Sequence, residues 1–257
     1  MEEQAVNELV SFEEEHKVVR TNTSYYDLKW GKTANPAKNN TWNWAAFFLT
    51  SAWFAYRKMY KHFFILTLIE VIWFSLLCFV DIPEWSDAIV FGGASLITGL
   101  CANRWYYKHV KNVLAQAEAQ REQRKEAYLQ IKGGTHIGIA IGLSILALVI
   151  TFGVGAGLSL LPTKTNIKDV VRYGDEAITL ETYNDHPKWT YIKKDGRHHV
   201  VQFTGYDYTE KEHVRIVFNV YLDKQIYEWD KIYINGKKLN KKDAEDYEYW
   251  IEDSSAY

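Results

Sequence analysis

Apolar and polar residues are strongly segregated along the chain. Residues 63–80, 88–102 and 137–161 hold a single charged side chain, Glu70, whereas the stretches between them are rich in Lys, Arg, Asp and Glu. A bilayer's hydrocarbon is about 30 Å thick and a helix rises about 1.5 Å per residue, so a crossing needs roughly 20 mainly apolar residues. Phe63–Val80 carries thirteen Leu, Ile, Phe or Val among eighteen residues, enough to outweigh one central charge. Ala88–Ala102 is short, but Trp85 before it and Trp105, Tyr106 and Tyr107 after it extend it to a span over 85–107. Ile137–Leu161 is long and uncharged, with Pro162 at its exit. The pattern predicts three transmembrane helices and excludes an ordinary soluble globular protein.

Between these spans the pattern changes. Trp42–Tyr60 is aromatic at both ends, with Trp42, Trp44, Trp53, Tyr56 and Tyr60, but residues 44–56 are too few to cross comfortably. It reads as an interfacial or re-entrant helix anchored by those rings and by Trp105, with a fourth span as the alternative. Residues 103–136 are rich in helix formers, and Val110, Val113, Leu114 and Ala117 fall on one helical stripe. That segment must return to its own side of the membrane by Ile137, either along the surface or folded back. Its seven Lys and Arg against three Glu suit anionic lipid, and a solvated charged helix is the equal alternative. Gly133-Gly134 ends it.

Residues 163–257 form a polar domain. Thr163–Ile167 reads as a tether, and a helix around Asp175–Tyr183 is closed by Asp185-His186-Pro187. Strands are expected over Trp189–Lys193, His199–Tyr206, Val214–Leu222 and Ile226–Ile234, with Asp195-Gly196 as a hairpin turn and Lys241–Ile251 as a closing helix. The fold class is thus a membrane α-helical bundle with a C-terminal extracytoplasmic α+β domain: a four-stranded antiparallel meander and two helices. Three regions follow: an N-terminal segment 1–41, a membrane domain 42–162 and the domain 163–257.

Charge sets the expected threading. Eight Lys and Arg precede residue 63 and seven lie in 103–136, whereas Asp81–Asp87 has none and three acids. The N-terminus and the 103–136 loop are therefore expected in the cytoplasm and residues after 162 outside. The acidic start, Glu2, Glu3 and Glu13–Glu15, does not read as a cleavable signal. A net charge of −2 makes nucleic acid an unsuitable partner. Cys78 and Cys101 sit in apolar runs near opposite ends of their spans, so neither a disulfide nor a cysteine metal site is expected.

Glu70 is the one ionisable residue at depth. Counted inward from the cytoplasmic ends, it shares a level with Ser95 or Thr98 and with Ser144. A protonated Glu bonded to these hydroxyls would hold the bundle; a proton or cation relay is the functional alternative. Gly134, Gly138 and Gly142 recur every fourth residue, suiting close helix packing within the chain or in a homo-oligomer. The domain 163–257 has serines only at 254 and 255 and no cysteine, so a Ser or Cys nucleophile is not expected. His198-His199 on a strand point to opposite faces, and neither a metal nor a cofactor is expected. Its eleven Tyr and three Trp are the unusual feature; Tyr206, Tyr208, Tyr227 and Trp229 are candidates for a glycan- or peptide-binding platform, or else fill the core.

Tyr25-Tyr26, Trp30, Trp42-Asn43-Trp44-Ala45-Ala46-Phe47-Phe48, Trp53 and Tyr56-Arg57-Lys58-Met59-Tyr60 stand in an order that resembles domain-of-unknown-function family 2628, an uncharacterised bacterial membrane family. Asn103-Arg104-Trp105-Tyr106-Tyr107-Lys108-His109-Val110 is similar to that family's segment after its second span, and the resemblance covers roughly residues 22–115. It implies a location in the bacterial cytoplasmic membrane and no established activity. Thr50-Ser51-Ala52 stands where the family's Gly-Pro break is expected, which argues against a sharp bend there. Asn184-x-x-Pro187-Lys188-Trp189, Asp195-Gly196 and Val200-Val201-x-Phe203-Thr204-Gly205 are similar to small envelope domains of Gram-positive bacteria.

The expected function is non-catalytic binding or sensing in the cell envelope, with a cell-wall polymer or envelope protein as partner beside the lipid bilayer. The alternatives are a small proton-linked transporter using Glu70, and an assembly factor presenting 42–60 and 103–132 to other membrane proteins.

Overall fold

The computed structural model describes residues 13–83 and 85–255, and it divides into two compact units. The first comprises residues up to 72 together with 82–152; the second comprises 73–81 together with 153–257.

Residues 13–19 form helix α1, followed by α2 (Thr23–Gly31), α3 (Trp44–Tyr56), α4 (Tyr60–Leu77), α5 (Trp85–Glu118), α6 (Glu122–Lys132) and α7 (Ile137–Ser159); these lie in the first unit except the ends of α4 after residue 72 and of α7 after residue 152. Helices α4, α5 and α7 are long and apolar enough to cross a membrane. Phe64, Leu68, Ile72, Ile97, Ile141, Val149 and Phe152 on them are exposed, an apolar surface of the kind that marks a membrane or protein interface. Helix α5 is a single 34-residue element, about 51 Å long, that joins the expected span to the charged segment without a break. The chain then turns at residues 119–121, and α6 folds back against α5, so the fold-back option holds for 103–136. The stripe read from the sequence is the contact face, since Val110, Val113 and Ala117 are buried in the core.

That core gathers Tyr26, Trp30, Phe54, Met59, Phe63 and Tyr106, and burying each such side chain is worth about 1.5–3 kcal/mol. Helices α1 and α2, absent from the sequence reading of 1–41, supply Val18, Val19, Tyr26 and Trp30 to it. Two features of the chain end α6 and seat it: Gly133 leaves room where a Cβ would come within 2.9 Å of the Val18 carbonyl oxygen, and Gly134 takes φ +71° and donates its amide to that same oxygen at 2.6 Å. The expected straight passage at Thr50 is overturned. Thr50 has φ 40° and ψ −113° inside α3, so the helix is kinked without a Gly-Pro pair.

The second unit contains α8 (Lys164–Arg172), α9 (Asp175–Tyr183) and α10 (Lys241–Ser255) with strands β1 (Asn184–Asp195), β2 (His198–Asp207), β3 (Glu212–Tyr221), β4 (Ile226–Ile234) and β5 (Lys237–Lys238). All pairings are antiparallel in the order β1-β2-β3-β4-β5, so the meander has a fifth, two-residue strand where four were expected. The expected tether is also corrected. Thr163 caps α8 by accepting the Asn166 amide at 3.0 Å, and Ile167 and Val171 are buried, so among the described residues after 162 three helices stand where two were expected. Along β3, Val214, Ile216, Phe218 and Val220 face the core and the alternate residues do not, as the period of two requires.

Candidate functional site

The residues that carry the family resemblance converge in one place. Asn43 is the N-cap of α3, its Oδ1 accepting the Ala46 amide at 3.0 Å, while its Nδ2 donates to Asn103 Oδ1 at 2.8 Å. Asn103, on α5, donates in turn to Thr41 Oγ1 at 3.0 Å and the Thr41 carbonyl at 3.2 Å, and its own carbonyl accepts the Trp30 indole at 3.1 Å. One turn earlier, the Gly99 carbonyl accepts the Asn43 amide at 2.8 Å. This approach needs glycine, because a Cβ on residue 99 would lie 2.9 Å from Phe47 Cβ. Two amide side chains thus pin the segment before α3 to the middle of α5, both fully inside the fold.

Beside them Arg57 is 2% exposed. Its guanidinium lies 4.8 Å from the Tyr26 ring, 5.0 Å from Tyr106 and 5.5 Å from Tyr56, and donates to Thr21 Oγ1 at 3.1 Å and the Thr21 carbonyl at 3.3 Å. Ring faces and oxygen dipoles hold the charge, each ring contributing about 0.5–2 kcal/mol. Burial raises the Tyr26 hydroxyl well above the usual phenol range, against the opposing pull of Arg57, so it stays neutral. Glu15 is buried on the same core and pairs with Lys111 at 2.7 Å. This arrangement braces helices.

The aromatic anchors separate into two kinds. Trp44 is 62% exposed, beside exposed Phe48 and Leu49. Trp53 is instead 3% exposed and packs edge-on to Phe54 and Tyr106, so it is a core residue and not an anchor. Trp42, Tyr56, Tyr60 and Trp105 are half-buried. The proposed polar level is not assembled: among the described residues no hydrogen bond joins Glu70 to Ser95, Thr98 or Ser144. Thr98 is buried, Ser95 and Glu70 are half-buried, and the Ser144 hydroxyl is buried without a described partner. A Cβ at Gly142 would meet nothing within 4 Å, and Gly138 has only its own neighbour His136 nearby, so no described element of the first unit packs closely on these two. Gly134 serves the turn instead. Cys78 and Cys101 are both free thiols.

In the second unit the four platform candidates do not share a face. Tyr227 and Trp229 alternate toward the core, Trp229 against Phe218 at 4.9 Å, and the Tyr227 hydroxyl donates to Glu176. Tyr206 lies on the opposite face beside His213, and Tyr208 is 49% exposed in the β2–β3 turn. The register places Tyr206, Thr204 and Gln202 of β2, His213 and Arg215 of β3 and Tyr233 of β4 together on that outer face. There the Arg215 guanidinium stacks 3.7 Å over the Tyr233 ring. The sequence reading missed this pair; the alternation of β3 would have assigned Arg215 to the face opposite Ile216, but its partner depends on the β3–β4 register.

Among the described residues no group of three or more His, Cys, Asp or Glu side chains is placed to hold a metal ion. What the fold defines is a helical protein with three helices apt to span a bilayer, a braced aromatic core and an appended antiparallel α+β unit. Residues 10–111 match the family described as "Protein of unknown function (DUF2628)", so the resemblance carried by Asn43, Arg57 and Asn103 stands for that part of the chain. No curated protein and no solved structure matches the chain.

Proposed function

We propose that this is a multi-pass membrane protein of the bacterial cytoplasmic membrane that binds an envelope component, without catalysis, through the outer sheet face of its C-terminal unit. The observation that carries this reading is the outer face itself. A three-strand surface bearing Tyr206, His213, Gln202, Thr204 and the stacked Arg215–Tyr233 pair is left uncovered by α8, α9 and α10, which pack on the other side. Flat rings beside fixed polar groups suit sugar rings and extended peptides. The Lys and Arg bias of 1–62 and 103–136 supports an outside position for residues after 162. On this reading a wall polymer or an envelope protein is the partner.

Two measurements test it. Protease added to intact cells should cleave within 163–257, and protection until the cells are broken would overturn the placement. Purified full-length protein in detergent should retain isolated wall polymer, with Arg215→Ala or Tyr233→Ala weakening retention at least fivefold. Equal retention by both variants would remove the outer face from the account.

A further inference from the structure

We propose that a groove beside the start of α4 binds the phosphate of an anionic lipid headgroup. The groove has a volume of about 540 Å³ and is lined by residues 58–62 and by Trp105, Lys108, His109 and Asn112 of α5. Three lysines, Lys58, Lys61 and Lys108, face this space with His62 and His109, and no acidic side chain lines it. Among the described residues Lys61 and Lys108 make no ion pair, and both are exposed. The Lys58 ammonium is committed to the carbonyls of Ile131 at 2.9 Å and Gly133 at 2.6 Å, so Lys61 and Lys108 are the lysines left to meet a ligand. The first amides of α4, at Tyr60 and Lys61, have no partner inside the helix and add the positive end of its dipole. A convergent set of cations with an unsatisfied helix start is the chemistry that takes phosphate.

The surroundings favour a lipid as its source. His62 stacks on Phe54 at 5.1 Å and leans on Trp105 at 5.5 Å, forming an aromatic wall of the kind found at headgroup depth. One turn past Lys61, the exposed side chains become apolar and stay so: Phe64, Ile65, Leu68, Ile69 and Ile72. A phosphate held by the lysines would therefore have acyl chains continuing along α4, and basic pockets between spans are suited to such headgroups. The inference rests on the membrane reading of α4 and α5.

The test uses the full chain in a neutral detergent, titrated with short-chain phosphatidylglycerol, short-chain phosphatidylcholine and inorganic phosphate and followed by calorimetry. Phosphatidylglycerol should bind with at least tenfold preference over phosphatidylcholine. The Lys61→Gln/Lys108→Gln double variant should bind it about thirtyfold more weakly, from roughly 1 kcal/mol per lost basic group. Lys237→Gln/Lys238→Gln, which removes the same charge from β5, should leave it unchanged. Equal binding of the two lipids, an undiminished response in Lys61→Gln/Lys108→Gln, or an equal loss in the β5 variant would overturn the proposal. Inorganic phosphate competing as well as the lipid would overturn the lipid source. Recovery of the protein from cells without detergent would instead strike the membrane reading itself, a result separable from these.

Discussion

At Thr50 a β-branched residue holds φ 40° and ψ −113°, a region that glycine enters without cost and other residues do not. Such a conformation costs about 1–3 kcal/mol, and it persists because Asn43 and Trp53 fix the helix on either side of it. Thr50→Gly should accordingly raise stability by about 1 kcal/mol, seen as a higher melting temperature by circular dichroism in detergent. Asn103→Ala should do the reverse by about 2–3 kcal/mol, because it strands the Asn43 amide and the Thr41 oxygens in the core. A third residue gives a pH signature. Burial, reinforced by nearby Asp81, raises the Asp169 carboxyl from 3.8 to about 6, against the opposing charges of Arg172 and Lys168. The folded state then holds this proton more tightly than the unfolded chain. Its stabilising contribution is complete below the unfolded value and is lost as pH rises through about 6. Asp169→Asn should flatten that dependence and stabilise the second unit at pH 7 by about 1–2 kcal/mol after allowance for solvent screening, measured by urea titration at several pH values.

At the scale of elements, much was legible where one residue type recurs with a period. The apolar runs mark α4, α5 and α7, and the alternation Val214 to Leu222 marks β3 and its buried face. The Val110–Ala117 stripe foretells the side of α5 that faces the core. Elements whose reason lies in a partner were illegible. Helix α8 has only nine residues and declares itself through the Thr163 cap and through Ile167 and Val171 meeting the sheet. The sorting of Trp53 into the core and Trp44 to the surface likewise depends on which face α3 turns to α5, a choice made by Asn43 and Asn103 across sixty residues of sequence. The groove of Lys58, Lys61 and Lys108 is hidden for the same reason, since its cations come from two stretches far apart in the chain. Glycines provide a paired test. Gly99→Ala should destabilise by about 1–2 kcal/mol, because Phe47 Cβ is fixed to its backbone and cannot swing away. Gly142→Ala, with open space around it, should be neutral or mildly stabilising in the monomer by up to about 1 kcal/mol. A loss of stability or of a crosslinked dimer in Gly142→Ala would mean that a second copy packs there.

For the molecule as a whole, the two cores share no residue: one gathers around Tyr26, Phe54 and Tyr106, the other around Phe203, Ile216 and Phe218. Unfolding should therefore depart from two-state behaviour, with Asn103→Ala lowering one calorimetric transition and Asp169→Asn moving the other. A single transition shifted by both variants would contradict this. Helix α5 is the longest described element. Its hydrogen-bonded ladder runs for 34 residues without a hinge, and the braced Asn103–Val113 stretch occupies its second half. If it spans the bilayer as proposed, a rod of about 51 Å crossing roughly 30 Å of oil leaves some 20 Å of stiff shaft beyond it. On the proposed membrane placement, torque applied to that shaft at the aromatic brace has no joint in which to dissipate, so it would be delivered as rotation or tilt to the half among the acyl chains.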